Sequence, residues 1–287
     1  MEWMKAVRRL RETRRPGVLV TVATVRGHAP REAGAKMVVG RERSWGTVGG
    51  GNLEAVAEER ARAMLEDPTS TAELVTLSLS DKVPYQHGVQ CCGGEVTLLL
   101  EPLPVVPAVA VFGMGHVGLE LARILARHDL ELHLVDSRAD QLTRERLTVL
   151  DDAVAAVHAH QVPVLPELVI AELPPGTHVL VMTHDHAEDA ALCDAALRAT
   201  HLGSIGLIGS TAKWTRFRKK LAAEGHSPDA IARITTPIGL PDLGGKEPAT
   251  IAVSVAAALL QQFQAEQTGP AGRAGRTETP STAESTR

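Results

Sequence analysis

The sequence predicts an α/β protein with an N-terminal α+β domain and a C-terminal Rossmann-like domain built on a doubly wound parallel sheet. A length of 287 residues suits about two domains of roughly 150 residues each. Pro102, Pro104 and Pro107 cluster, and proline's fixed φ and missing amide indicate an extended connector. Beyond them apolar strands alternate with helices, which is typical of a parallel sheet. We expect domains at 1–101 and 109–265, a linker at 102–108 and a tail at 266–287.

The N-terminal domain has mixed elements. Leu53, Val56, Ala57, Ala61 and Met64 recur at helical spacing, which predicts a helix over 52–66. A run of β-branched residues predicts a strand over 18–25. The remaining predictions are a helix over 2–14 and strands over 73–79 and 95–101. The order of the strands does not follow from the pattern.

The C-terminal domain has a more regular rhythm of strands and helices. The predicted strands are 105–112, 130–135, 178–183 and 204–208, and the predicted helices are 116–127, 187–200 and 211–223. Cys193 lies within one of these helices, and we expect it in the core. The residues from Thr268 onward include no large apolar side chain, which predicts a disordered tail.

Composition excludes several classes of protein. A net charge of −4 argues against nucleic-acid binding by bulk charge. The longest apolar stretches fall far short of the roughly 20 residues that a membrane span needs. Three cysteines, two of them adjacent, do not form a disulfide framework. We therefore expect a cytoplasmic protein that contacts neither nucleic acid nor membrane.

The first candidate site is a glycine fingerprint that follows a predicted strand and begins a helix. Gly113, Gly115 and Gly118 have the spacing of a dinucleotide-binding turn, and Asp136 ends the next strand. Such a turn brings a pyrophosphate to the helix N-terminus, and the acid accepts from a ribose hydroxyl. His116 lies beside the expected phosphate. The alternative is a Rossmann fold that keeps its glycines only for packing.

The second candidate site is the segment Cys91, Cys92, Gly93 and Gly94, just before a predicted strand. Neighbouring cysteines pair poorly in a disulfide, and two glycines permit close approach by a ligand. A thiolate here suits a soft metal centre or sulfur transfer. The alternative is a small buried side chain at the start of a strand.

A third candidate site is the glycine run Gly49, Gly50 and Gly51 before the predicted helix at Asn52. Glycines at a helix N-terminus favour an anion. Arg31 and Lys36 add two cations from a loop just upstream. The alternatives are a flexible turn capped by Asn52 and two solvated cations.

A fourth candidate site is formed by His184 and His186, which flank Asp185 after a predicted parallel strand. Ligands bind at the carboxyl ends of such strands, so we expect the histidines to face a ligand, although no third metal ligand is evident. The alternative is that Asp185 simply caps the next helix. In that region Lys213, Arg216 and Lys220 share one helix face, and we favour a solvated face over an anion site.

Several segments together resemble the XdhC–CoxI family of molybdenum-enzyme maturation factors. These segments are GHAPREAGAKM, GTVGGGNLE, QCCGGEVTLLLEP, VFGMGHVG with VDSR, MTHDHAED, GSIGLIGSTAKWTRFR and ITTPIGLPDLGGKEPATIAVSVAAAL. Their joint order over nearly the whole chain before the tail is specific, although no single segment is. The QCCGG form is more similar to the xanthine dehydrogenase branch than to the carbon monoxide dehydrogenase branch.

The resemblance implies a carrier rather than an enzyme. Such proteins bind the molybdenum cofactor (molybdopterin), protect it while a cysteine desulfurase replaces an oxo group with sulfido, and deliver it to xanthine dehydrogenase. The family's cofactor-linked cysteine falls on the Cys91–Cys92 pair. The resemblance leaves the ligand of the glycine fingerprint open between a pterin phosphate, a cytidine-extended form and NAD(P). We also expect a homo-oligomer.

Two other functions remain open at this point. A nicotinamide-dependent oxidoreductase would use Gly113, Gly115, Gly118 and Asp136 for its cofactor and His184 or His186 as acid/base. A regulatory subunit would sense a nucleotide and transfer nothing. Bound pterin, a nicotinamide-dependent absorbance change, or neither would separate the three.

Overall fold

A computed structural model describes residues 1–67, 69–79 and 94–268. Residues 267 and 268 are described by their backbone alone. The described chain divides into two compact units. One is Met1–Val105 together with the last described residues, from Ala265, and the other is Val106–Gln264. No helix in these described ranges is long and apolar enough to cross a membrane.

The first unit is an antiparallel sheet with one helix on each face. Its elements are α1 (Glu2–Glu12), β1 (Gly17–Arg26), β2 (Lys36–Val39), β3 (Ser44–Gly46), α2 (Gly51–Glu66), β4 (Glu73–Ser78) and β5 (Glu95–Leu103). The strands lie in the order β3-β2-β1-β5-β4, and every neighbouring pair is antiparallel. The sequence did not reveal β2 and β3, which are only four and three residues long.

Alternation along β1 and β5 divides the core of this unit between the two faces of the sheet. Val20 and Leu98 belong to the cluster that packs against α2, whereas Leu19 packs with α1 on the other side. Successive strand residues point to opposite faces, so each strand contributes to both clusters. β3 is joined to α2, which packs on this sheet, by a glycine-rich turn from Gly46 to Gly51.

The second unit is a six-stranded sheet in which every neighbouring pair is parallel. Its strands are β6 (Ala108–Phe112), β7 (Glu131–Asp136), β8 (Ala156–Gln161), β9 (His178–Val181), β10 (Ser204–Leu207) and β11 (Ile234–Thr235). Its α-helices are α3 (His116–Leu125), α4 (Arg144–Leu147), α5 (His186–Arg198), α6 (Thr211–Ala223), α7 (Pro228–Ile231) and α8 (Pro248–Thr268), with 3-10 turns at Ala139–Gln141, Thr148–Leu150 and Pro166–Glu172. The order β11-β10-β9-β6-β7-β8 is that of a doubly wound dinucleotide-binding sheet, so the predicted fold class is confirmed.

Two apolar clusters cover the two faces of this sheet. Phe112 and Val181 pack with α5 and α6 on one face, and Val111 and Leu134 pack with α3 and α8 on the other. All five residues of β6 are buried, as expected of a central parallel strand. Burial on both faces leaves the strand ends as the place where polar groups gather.

The structure corrects two predicted boundaries. The linker predicted at 102–108 is shorter, because β5 continues to Leu103 and includes Pro102. Pro102 fits there because β4 reaches only as far as Leu100, so beyond that residue β5 pairs with β1 alone and needs fewer amide donors. Residues 266–268, predicted as the start of the tail, belong to α8, which continues through Thr268. Residues 269–287 lie outside the described residues.

Candidate functional site

The polar residues of the second unit collect at the carboxyl ends of its parallel strands. β6 lies between β7 and β9, so the chain direction of the crossovers reverses at the β6–β9 boundary. Ligands of doubly wound sheets bind in the crevice at that boundary. The glycine turn at Gly113, Asp136 after β7 and the His184 segment after β9 all lie at this edge.

The three glycines of the turn have different reasons to lack a side chain. A Cβ on Gly113, at φ +104°, would lie 2.4 Å from the carbonyl oxygen of Met182, and a Cβ on Gly118 would lie 2.1 Å from that of Gly113. Packing of the protein itself therefore requires both. A Cβ on Gly115 would meet nothing within 4 Å. Gly115 precedes the first residue of α3, where no side chain caps the helix, so the space above it suits an anion.

Asp136 is buried, and its two oxygens accept four hydrogen bonds from the protein. Oδ2 accepts from the backbone N–H of Met114 at 2.6 Å and from Arg138 at 2.9 Å. Oδ1 accepts from the backbone N–H and side chain of Arg138 at 2.9 and 3.0 Å. Burial alone raises the pKa of Asp136, but these bonds outweigh it and hold the pKa below its usual value. The predicted contact with a ribose hydroxyl stays a prediction, and the carboxylate already anchors the turn.

Arg146 is a second cation at the glycine turn. Its guanidinium donates to the carbonyl oxygen of Met114 at 3.0 Å. Its Nε is buried without a hydrogen-bond partner among the described residues. A buried, unsatisfied donor is costly, and an anionic ligand at the turn would satisfy it. His116 is exposed at the start of α3.

The segment after β9 combines one capping residue with two exposed histidines. Asp185 caps α5 by accepting from the backbone N–H groups of Ala187 and Glu188 at 2.6 and 3.3 Å. His184 and His186 are exposed on either side of it. Asp185 therefore caps the helix, as the alternative interpretation held, and a ligand contact of the exposed histidines stays a prediction.

A buried ion pair stands behind this segment. Asp189 is fully buried and accepts from Lys213 Nζ at 2.5 Å, and its other oxygen accepts from the backbone and hydroxyl of Thr183 at 3.0 and 2.8 Å. Lys213 Nζ also donates to the carbonyl of Ile208 at 2.9 Å. The prediction of a solvated face at Lys213 was wrong, because this lysine is 7% exposed and joins the strand ends of β9 and β10. Arg216 and Lys220 are exposed.

In the first unit, one loop contacts both the glycine turn and Gly94, which lies two residues after the cysteine pair. A Cβ on Gly49 would lie 2.9 Å from Cβ of Pro30, and a Cβ on Gly94 would lie 2.2 Å from the carbonyl oxygen of His28. The loop between β1 and β2 thus packs against both glycines. Cys91, Cys92 and Gly93 lie outside the described residues, but Gly94 fixes where that segment joins β5.

The glycine turn of the first unit is partly satisfied from within. Glu54 Oε1 accepts from the backbone N–H groups of Val48 and Gly49 at 3.2 and 3.4 Å and also bonds the Thr47 hydroxyl. The protein's own carboxylate therefore takes two donors of the predicted anion site. Gly50 is open, since a Cβ there would meet nothing within 4 Å. Asn52 is 9% exposed, and its side-chain oxygen accepts no hydrogen bond from the described residues.

Arg31 and Lys36 line one shallow cavity of about 280 Å³ together with Gly46 and Thr47. Lys36 Nζ donates to the hydroxyl of Thr21 at 2.7 Å and lies 5.6 Å from the ring centre of Trp3. Lys36 is therefore held against the sheet, whereas Arg31 is exposed.

Cys193 is buried in α5, as expected. Burial raises the pKa of its thiol to about 12, and the nearby Asp189 adds to the effect. A thiol held in the neutral form is a poor nucleophile. Any thiol chemistry of this protein therefore falls to Cys91 and Cys92.

Two family descriptions match the chain. Residues 109–259 match the XdhC Rossmann domain, and residues 10–78 match the XdhC and CoxI family. The chain belongs to the XdhC and CoxI family. The resemblance that the sequence segments suggested is thereby confirmed.

Relatives of this family member include two Escherichia coli K12 proteins. Uncharacterized protein YqeB is 26% identical over 255 residues, which cover 88% of this chain and 44% of YqeB. The chain therefore spans less than half the length of that relative. Molybdenum cofactor insertion chaperone PaoD is 26% identical over 257 residues, which cover 78% of this chain and 76% of PaoD. A crystal structure described as a xanthine dehydrogenase from Bacillus halodurans aligns with 95% of this chain and 99% of its own at 19% identity and a TM-score of 0.46.

Sequence reasoning missed three polar residues at the carboxyl edge of this XdhC Rossmann domain. Arg146 lies far along the chain from the turn that it contacts, and Asp189 looked like an ordinary helix residue. Lys213 was attributed to a surface face because its neighbours are basic. Its position three residues after the capping Ser210, where the first turn meets the strand ends, is the signal that could have identified it.

We predict that Lys213→Met destabilises the protein by about 3–5 kcal/mol, because it leaves the buried Asp189 charge without its partner. Adding Asp189→Asn should recover more than half of that loss, since an amide oxygen still accepts from Thr183. Lys219→Met, on the exposed side of α6, should stay within about 0.5 kcal/mol of the wild type. Denaturant unfolding followed by circular dichroism measures all four proteins. A double variant as unstable as Lys213→Met would contradict the role of the ion pair.

We predict that Gly118→Ala and Gly115→Ala differ in stability. The Cβ at residue 118 would overlap a backbone carbonyl, and such overpacking costs about 1–3 kcal/mol. The Cβ at residue 115 enters open space and sacrifices only the glycine preference at a helix N-cap, which is below about 1 kcal/mol. Thermal unfolding of the two variants tests this order. Equal losses would mean that Gly115, like Gly118, serves packing.

Proposed function

We propose that this protein binds the molybdenum cofactor, supports its sulfuration by a cysteine desulfurase, and inserts it into an enzyme of the xanthine dehydrogenase type. The observation that carries the proposal is the open, uncapped start of α3 at Gly115, at the reversal point of a doubly wound sheet. Molybdopterin carries a phosphate, and its nucleotide-extended form carries a pyrophosphate. Both are anions of the kind that this turn can hold.

Further cations support an anionic cargo in the second unit. The unsatisfied Nε of Arg146 is buried beside the turn, and the guanidinium of Arg138 is fixed there by Asp136. The pKa of Arg138 is raised, chiefly by its hydrogen bonds to Asp136. Exposed His184 and His186 contribute further donors or acceptors at the same edge.

The first unit would supply the soft ligand. Molybdenum with dithiolene sulfur is a soft centre that suits thiolate ligands, and Cys91 and Cys92 are the remaining candidates because the Cys193 thiol is buried and neutral. Gly94, the first described residue after these cysteines, packs against the backbone of His28, in the loop that continues to Arg31 and Lys36. Gly49 packs against Pro30 of the same loop, and Gly50 and Gly51 follow it in the chain. In this proposal, these residues of the first unit contact polar groups of the cofactor.

The relative PaoD, named as a molybdenum cofactor insertion chaperone, supports insertion as the activity. Its similarity runs over about three quarters of both chains. We extend the proposal to a cytoplasmic homo-oligomer that docks reversibly on its client, since a carrier has to release its cargo.

A nicotinamide-dependent oxidoreductase is the second candidate, and NAD(P) is its cofactor. It rests on the same glycine turn and strand order. The four protein hydrogen bonds on Asp136 count against it, because a ribose hydroxyl would compete with Arg138 and Met114 for the carboxylate. Purified protein separates the two functions: bound pterin supports the carrier, and nicotinamide-dependent turnover supports the enzyme.

We predict that Gly115→Val lowers the content of bound phosphate-bearing cofactor by at least about tenfold, which is about 1.4 kcal/mol, because a branched side chain fills the space at the start of α3. Gly244→Val is the matched control, since a Cβ at residue 244 also meets nothing within 4 Å. Pterin fluorescence after acid oxidation and metal analysis for molybdenum give the content, and circular dichroism checks folding. Unchanged content in a folded Gly115→Val would remove the turn from the binding site.

We predict that Cys91→Ala with Cys92→Ala yields a folded protein that no longer activates its client. Removing two sulfurs removes the soft ligands, while small-to-small changes cost little packing. The client dehydrogenase is coexpressed with the wild type, the double variant or no carrier, and its activity and sulfurated cofactor are compared. Cys193→Ala is the control thiol. Equal activity with and without the carrier would refute delivery, and full activity with the double variant would refute the role of the thiols.

A further inference from the structure

Three histidines and a glutamate gather on β7 and β8, away from the glycine turn. Glu131 and His133 lie two residues apart on β7, and His158 and His160 lie two residues apart on β8. We propose that Glu131, His133 and His158 form a binding site for a divalent transition-metal ion such as Zn²⁺. His160 orients His133 in this site.

The register of the parallel strands brings these side chains to one face of the sheet. His133 pairs with His158, and Val135 pairs with His160. Residues two apart on a strand point the same way, so all four side chains project from one face. Ligand atoms of Glu131, His133 and His158 lie within 4.8 Å of one another. The imidazole rings of His133 and His158 are stacked with centres 4.8 Å apart.

The hydrogen bond between two histidines prepares the central ligand. His133 Nδ1 and His160 Nε2 are 3.1 Å apart. When His133 donates its Nδ1–H to His160, its Nε2 carries a lone pair. That Nε2 faces Glu131 Oε2 at 3.9 Å. A histidine that binds metal commonly donates its other N–H to a neighbour, which fixes the tautomer.

The distances suit a small divalent ion. Zinc bonds to nitrogen and to carboxylate oxygen are each about 2.0–2.2 Å, so two ligands of a tetrahedral ion lie about 3.3–3.6 Å apart. A small side-chain movement brings His133 Nε2 and Glu131 Oε2, which are 3.9 Å apart, to that spacing. His158 is exposed, and a modest rotation of its ring closes the remaining gap. Imidazole and carboxylate ligands suit zinc and its first-row neighbours, with water in the fourth position.

A metal ion in this site would link the edge strand β8 to its neighbour β7. β8 is the outermost strand beyond β7, so it has a strand neighbour on one side only. An ion held by both strands would crosslink the edge strand to the sheet, and it would stabilise the folded state increasingly as the free metal concentration rises above the dissociation constant. This inference concerns a different part of the second unit from the proposed cargo site and is tested separately.

The test is calorimetric titration of the full-length protein with Zn²⁺, in the wild type and in a Cys91→Ala, Cys92→Ala background that removes thiol binding. We expect one equivalent in that background. His158→Ala, an exposed change that leaves the core intact, should lower the affinity by about 100-fold or more. His160→Ala should lower it by about 10- to 100-fold, as expected for an orienting partner. Glu131→Gln keeps the shape of the side chain and removes its charge, and it should also weaken binding.

His184→Ala is the matched control, because His184 and His186 form the other His-x-His pair at exposed positions. It should bind Zn²⁺ like its parent. Co²⁺ gives a second readout, since its visible absorption reports nitrogen and oxygen ligands directly. Unchanged affinity in His158→Ala and Glu131→Gln, or loss of the equivalent in His184→Ala, would overturn the proposal.

Discussion

The carboxylate of Asp136 is the interaction on which the glycine turn of the second unit depends. It ends β7 and reaches across to the backbone of Met114, in the middle of the turn that follows β6. Because Arg138 and Met114 lower its pKa, it stays ionised at neutral pH. A carboxyl group of this kind stabilises the fold above its unfolded pKa, and that stabilisation is lost as the pH falls through its lowered folded value. The shape of the turn is therefore fixed before any ligand binds.

A second buried carboxylate plays the matching part on the other side of β6. Asp189 ties the backbone of Thr183 to Lys213, so the ends of β9 and β10 are joined by one charged group. A buried ion pair adds little net stability compared with an apolar pair, but removing one partner strongly destabilises the fold because the other charge stays buried and unpaired. We infer that the pair is kept for geometry: it holds the His184–His186 segment in place at the edge where the ligand is expected.

The predicted part of this architecture follows from patterns that are local in sequence. The alternation of apolar strands and helices predicted the parallel sheet, and α6 begins and ends where its pattern placed it. The two short strands β2 and β3 were not predicted, because three or four residues are too few to show an alternating pattern. Lys213 and the cluster around His133 escaped for a different reason: their partners lie about 25 residues away, and only the strand register brings them together. The cysteine segment stays a prediction.

The two glycine-rich helix starts looked equivalent in sequence, and the structure separates them. At the first, Glu54 from the helix itself accepts from Val48 and Gly49, so an incoming anion meets a negative charge and two occupied donors. At the start of α3, Asp136 accepts from the backbone N–H of Met114 and leaves the space beside Gly115 open. A helix N-terminus attracts one anion at close range. The position of the protein's own carboxylate therefore decides which start is available to a phosphate, and it favours α3.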